Sequence, residues 1–118
     1  MILESRSIIF SNEELFLALR PVLEGRGKTV EATSVSEIIA SLDSEGEVVV
    51  NLHLNDEAEP QYFEGREVGA AVLNHCIDQG IPLPRGSYKE LAIRGEHVAL
   101  IVRLESGGAQ SDIEEDEE

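Results

Sequence analysis

SYKELAIRGEHVALIVRL, residues 87–104, reads as a β-hairpin on which the rest of the chain can pack. Gly95-Glu96 supplies the Gly-X pair favoured in a two-residue type II′ turn. Closure at that point sets Arg94 opposite His97, Ile93 opposite Val98, Ala92 opposite Ala99 and Leu91 opposite Leu100. A period of two then gathers Leu91, Ile93, Val98 and Leu100 on one face. Ala92, Ala99 and Ile101 fall on the other, with Tyr88 opposite Arg103 at the open end. Residues 98–102 are apolar throughout, so the second strand is expected to be covered on both sides. A lone hairpin is marginal in water, and the remaining segments must supply that cover.

Working outward, residues 5–10 (SRSIIF) read as a strand, and Ser11 with Glu14 as the capping box of a helix over residues 12–24. Its stripe is Leu15, Phe16, Leu19, Val22 and Leu23, with Leu17 outside it. Pro21 removes a backbone donor and is expected to kink or shorten this helix. Residues 28–33 read as a second strand. Ser34 or Ser36 then caps a short helix to residue 42, with Val35, Ile38, Ile39 and Leu42 inward. After turn residues 43–46, residues 47–54 (EVVVNLHL) alternate as a strand inside a parallel sheet. An acidic loop, residues 55–60, leads to a helix over residues 65–79, whose apolar face is Val68, Val72, Leu73, Cys76 and Ile77. Gly80 suits its C-terminal stop. Ile81-Pro82-Leu83-Pro84 is extended, because each proline pushes its predecessor out of the helical region. No repeat is visible along the chain.

The expected architecture is therefore a small α/β sandwich of order β-α-β-α-β-α-β-β, a partly parallel sheet closed by the C-terminal antiparallel hairpin. It forms one domain over residues 1–105, followed by a disordered acidic tail, residues 106–118.

The formal charge is −15, from 24 acidic and 9 basic residues in 118. Six acids lie in the last eight residues, which leaves 18 against 9 in the remainder, so the folded part is acidic in its own right. Binding nucleic acid or an anionic membrane by bulk charge needs Lys and Arg, and neither partner is expected. Cys76 is the single cysteine, which excludes an internal disulfide and makes a reducing, cytoplasmic setting the default. No apolar run approaches the length of a membrane span.

Several constellations carry a bland reading and a chemical one. Glu24-Gly25-Arg26-Gly27-Lys28-Thr29 looks like a phosphate loop, but Val22 stands where the first glycine belongs, and the loop follows a helix instead of preceding one. A helix stop explains it better. His75-Cys76 pairs a base with a thiol, yet helical neighbours point about 100° apart. Core packing is the expected role of both. His53, Asp56, Glu57 and Glu59 with His75 or His97 lack metal-ligand spacing. Arg85, Lys89, Arg94 and Arg103 make the hairpin the one locally basic stretch, suited to an acidic partner or to edge protection.

Two resemblances bear on function. From Ile8 to Pro60, the run of strand, acidic turn, helix, strand, helix and apolar strand is similar to the opening of a response-regulator receiver domain. That likeness implies a phosphoacceptor aspartate at Asp56 and magnesium ligands at Glu13 and Asp56, with Asn12 and Glu13 in the place of the acidic pair. The segment Cys76…Ile81-Pro82-Leu83-Pro84-Arg85…Lys89-x-Leu91 with its hairpin resembles small uncharacterised bacterial proteins, which implies no particular activity. The expected function is a small acidic, non-enzymatic bacterial protein-interaction module without a cofactor. It would bind another protein or form a homodimer through a sheet edge, with Leu17, Arg85, Lys89, Arg94 and Arg103 as contact residues. A receiver-like phosphoacceptor is the alternative.

Overall fold

The computed structural model describes residues 2–106. They run β1 (Ile2–Ile9), α1 (Asn12–Gly25), β2 (Val35–Leu42), β3 (Val48–Leu54), β4 (Gln61–Phe63), α2 (Gly65–Asp78), β5 (Tyr88–Arg94) and β6 (His97–Ser106), with a 3₁₀ turn at Ala32–Ser34. The acidic tail expected from residue 106 falls, beyond Ser106, outside the described residues. No described helix is long and apolar enough to cross a membrane.

The β5–β6 hairpin has the register that its sequence dictates, from Arg94↔His97 through Leu91↔Leu100 to Tyr88↔Arg103. Gly95 sits at φ 65°, a conformation most side chains resist, so glycine is what permits the tight turn. Val98 to Val102 are all buried. The remaining topology departs from the expectation. Among the described residues every strand pairing is antiparallel, in two three-stranded sheets of order β1-β6-β5 and β2-β3-β4. The partly parallel sheet is therefore corrected to two small antiparallel sheets, with two helices instead of three.

The physical origin of that correction lies between residues 28 and 47. Residues 28–31 form no strand, and the expected second helix is strand β2. Val35, Ile38, Ile39 and Leu42 fit a helical stripe, but the same segment also places Ile38 and Ala40 on one face of a strand, both partly buried against the core. Short apolar runs satisfy both periods. The turn decides between them. Asp43 Oδ1 accepts from Glu45 N at 2.8 Å and from Glu47 N at 2.9 Å, and Gly46 takes φ 81°. This Asx-type chemistry folds the chain back so that β2 pairs with β3, and an antiparallel hairpin removes any need for a crossover helix.

Both long helices stand where the pattern puts them. Ser11 Oγ accepts from Glu14 N at 3.2 Å and opens α1. Pro21 lies inside α1 without ending it. It is exposed, like Leu17, whose carbonyl loses its i+4 donor to the proline ring. In α2 the buried stripe is Val68, Ala71, Val72, His75 and Cys76. His75 is inside, whereas Ile77 is 63% exposed, which rotates the expected face toward α1.

The element order divides into two β-α-β-β halves, β1-α1-β2-β3 and β4-α2-β5-β6. Equivalent positions around the helices are 53 residues apart: Phe10 and Phe63, Glu14 and Glu67, Ala18 and Ala71, Leu19 and Val72, Leu23 and Cys76, Gly27 and Gly80. The helix stops match bond for bond, with Lys28 N donating to Leu23 O and Ile81 N to Cys76 O, both at 2.9 Å. Gly27 and Gly80 supply the positive φ each stop requires. The first strand of each half is exchanged: β1 joins the hairpin of the second half, and β4 joins that of the first. One shared core results, with Leu15, Leu19 and Leu23 of α1 and Val68, Val72 and Cys76 of α2 beside Val50, Leu52, Phe63 and Val98.

Candidate functional site: the groove between the helices

Helices α1 and α2 pack antiparallel, and each end of the pair carries a cross-link. Glu14, in the first turn of α1, places Oε1 2.7 Å from Nε2 of His75 near the end of α2. Glu67, in the first turn of α2, accepts from Arg26 at the end of α1, with Nη2 3.1 Å from each carboxylate oxygen. The two glutamates hold equivalent positions in the two halves. Glu67 also accepts from Glu64 N at 3.1 Å and so closes its own capping box. Glu14 instead turns its carboxylate to His75.

The two links differ in character. The His75 side chain is 10% exposed and its ring lies 6.4 Å from that of Phe10. Arg26 is wetter but more widely bonded. It also donates to Tyr62 O at 2.8 Å and Gln61 Oε1 at 3.2 Å, and its guanidinium lies 4.5 Å over the Phe63 ring. Arg26 thus ties the C-terminus of α1 to β4, the exchanged strand.

Between the links runs a cleft of about 260 Å³, lined by Ala18, Pro21, Val22, Ala70 and Ala71, with Glu67, Asn74, His75 and Asp78 at its polar margin. Small side chains on both helices leave this space open. A second cleft of about 360 Å³ lies between the start of α1 and β2, lined by Phe16, Val35, Ile38 and Ala32 with Asn12, Glu13, Ser36 and Glu37. Leu17 lines both. It is 42% exposed and forms the ridge at which the two clefts meet. Apart from His75, every ionisable group lining them is an acid.

The other expected residues are scattered. Arg94 lies at the hairpin turn and Arg103 at its open end, about 20 Å apart at ~3.4 Å per residue. Lys89 faces the opposite side from Arg103, because adjacent strand positions alternate. Arg103 is ion-paired with Glu90 and lies 5.6 Å over the Tyr88 ring, Lys89 donates to Ser87 O at 3.1 Å, and Arg85 is exposed in the preceding loop. The four bases make no common patch. Glu13 lines the cleft beside β2, whereas Asp56 lies in a separate polar pocket with Lys28, Thr29 and Glu57. The parallel sheet that would bring two such acids together is not the sheet this chain forms. Lys28 Nζ is 2.7 Å from Glu57 Oε2. That contact and the Gln61 hydrogen bond hold the Glu57 carboxyl below its ordinary range. Burial pushes the Cys76 thiol up, against a weaker opposing pull from Arg6. Among the described residues no three His, Cys, Asp or Glu side chains gather as a metal site.

No family model, curated protein or solved structure matches the chain. The groove was not legible along the sequence, since Glu14 and His75 are 61 residues apart. The one available signal was the recurrence of glutamate at the third position of both helices.

Proposed function

We propose that this protein is a non-enzymatic protein-interaction module whose groove takes an amphipathic basic segment of a partner. The observation that supports it is Leu17: a large apolar side chain exposed on a ridge between two mainly apolar clefts whose margins are acidic. An amphipathic helix laid in such a groove buries its apolar face and sets its Lys and Arg against Glu13, Glu37 and Asp78. Charges of this kind accelerate association and select the partner more than they add affinity. The folded residues carry 18 acids and 9 bases, so the long-range field favours the same class of partner.

The contact surface is then the acidic groove and not the basic hairpin, with Leu17 at its centre. Its test is an NMR titration of labelled full-length protein with a synthetic helical peptide of leucines and lysines at helical spacing. Shifts should cluster at Leu17, Ala18, Ala70 and Ala71 and weaken with added salt. The exposed two-fifths of Leu17 corresponds to about 1 kcal/mol on burial, so Leu17→Ala should weaken binding roughly fivefold. Equal response to a leucine–glutamate peptide, or shifts spread away from the groove, would remove the proposal.

A further inference from the structure

We propose that the free edge of β1 is a homodimer interface, on which a second copy of the chain pairs antiparallel about Ser5. The inference is independent of the groove and rests on strand geometry and charge.

Strand β1 lies at the end of the sheet order β1-β6-β5, with no described strand beyond it. Phe10 N donates to Val98 O at 2.9 Å, which fixes the alternation of the ladder. Main-chain groups of Glu4, Arg6 and Ile8 therefore point to β6, and those of Leu3, Ser5, Ser7 and Ile9 point to the open edge. A two-fold axis through Ser5, perpendicular to the sheet, sets Ser5 opposite its own copy and Leu3 opposite Ser7. It also sets Glu4 opposite Arg6 twice, once on each side of the axis. Charge on an edge strand usually discourages pairing. Here the two opposite charges, two residues apart, favour one register instead.

Competing registers fail on the same residues. An axis at Arg6 opposes two arginines, an axis at Glu4 opposes two glutamates, and an axis at Ser7 sets Arg6 against Ile8. The other described edges are less suited. Strand β5 turned about Leu91 sets Lys89 against Ile93, and turned about Ala92 it sets Glu90 against Arg94, but Glu90 is already ion-paired with Arg103 of β6. Strand β2 carries Glu37 alone and is interrupted by a register shift between Val35 and Glu37. Strand β4 has three residues and no charge.

Apolar exposure points to the same edge. Leu3 is 70% and Ile9 55% exposed, on the same face as Ser5. With Leu3 opposite Ser7 of the second copy, its diagonal neighbour is the second copy's Ile9, at the roughly 7–8 Å separation that long side chains span. Both exposed residues gain a partner, twice over. Arg6 already donates to Pro82 O, and a guanidinium has donors left for a carboxylate.

Sedimentation of the full chain should give twice the monomer mass, with dissociation on dilution. Glu4→Arg sets like charges together on both sides of the axis and should give monomer, and the exchange Glu4→Arg/Arg6→Glu should restore the dimer. Register is read by oxidation. Glu4 and Arg6 would face each other as a non-hydrogen-bonded pair with Cα atoms about 4.5 Å apart, a separation a disulfide spans. Mixed Glu4→Cys and Arg6→Cys chains should therefore yield covalent dimer, while each variant alone and the wild type, whose Cys76 is buried, should not. A wild-type monomer overturns the inference. So does a dimer that persists in Glu4→Arg, or cross-linking of either variant alone.

Discussion

Removing Arg26 tests whether the exchanged strand β4 is held from the end of α1. In Arg26→Ala, four contacts go at once: the Tyr62 carbonyl, the Gln61 amide oxygen, the Glu67 carboxylate and the face of Phe63. The ion pair is partly wet, with side chains 29% and 36% exposed, so solvent screening limits it to about 0.5 kcal/mol. The hydrogen bond to the Tyr62 carbonyl contributes about 1 kcal/mol, and the stacked cation about 0.5 kcal/mol. The expected loss is thus about 2 kcal/mol, a sizeable share of a domain stability of about 5–15 kcal/mol. In urea the midpoint should fall by about 1 M at an unchanged slope of roughly 2 kcal/mol/M. A double-mutant cycle with Glu67→Gln should return a coupling of about 0.5 kcal/mol, reduced in 1 M salt. Arg26→Lys should recover less than half the loss, because an ammonium keeps the charge but not the fork or the stacking plane. A loss under about 0.5 kcal/mol, or a coupling to Glu67 that accounts for all of it, would refute the reasoning.

Two glycines should respond with opposite signs. A Cβ at Gly69, inside α2, meets only Leu91 Cδ1 at 3.7 Å, so Gly69→Ala should raise stability by about 0.5–1 kcal/mol, read as a higher urea midpoint. A Cβ at Gly65 would lie 3.1 Å from the Val48 carbonyl, so Gly65→Ala should instead destabilise by about 1 kcal/mol as the helix start is pushed off β3. Glu57 has a lowered folded-state pKa, so its contribution is present above its ordinary value of 4.5 and is lost as pH falls through the lower folded value. A carboxyl NMR titration should show Lys28→Met returning Glu57 toward 4.5. Cys76 is fully buried with a raised pKa, so a thiol reagent at neutral pH should label it only at the rate of global unfolding. Labelling of the native chain as fast as in urea would contradict that burial.

Local chemistry was legible wherever an element's neighbours in space were also its neighbours along the chain. The β5–β6 register followed from Gly95-Glu96 and a period of two, and α1 from Ser11, its apolar stripe and the stop at Gly27. The exclusion of Leu17 from that stripe was equally local, and it marks the groove. Residues 35–42 were ambiguous because Val35, Ile38, Ile39 and Leu42 satisfy a helix as well as a strand. The deciding evidence was the Asp43–Gly46 turn, whose hydrogen bonds commit the segment to β3. The burial of His75 was legible from the edge of the α2 stripe, but its partner was not, since nothing beside it in sequence announces Glu14.

By itself, then, the sequence determined the hairpins' turns, the two long helices with the Ser11 cap and the glycine stops, and an acidic surface. Only the tertiary structure decided that β1 and β4 exchange between halves, that the sheets are antiparallel, and that Glu14 meets His75 across a groove. The division has one cause. Turns, caps and periodicity act over a few residues, where backbone geometry leaves few choices. Strand partnership is a competition among distant segments, won by whichever arrangement buries the most apolar surface in a single core.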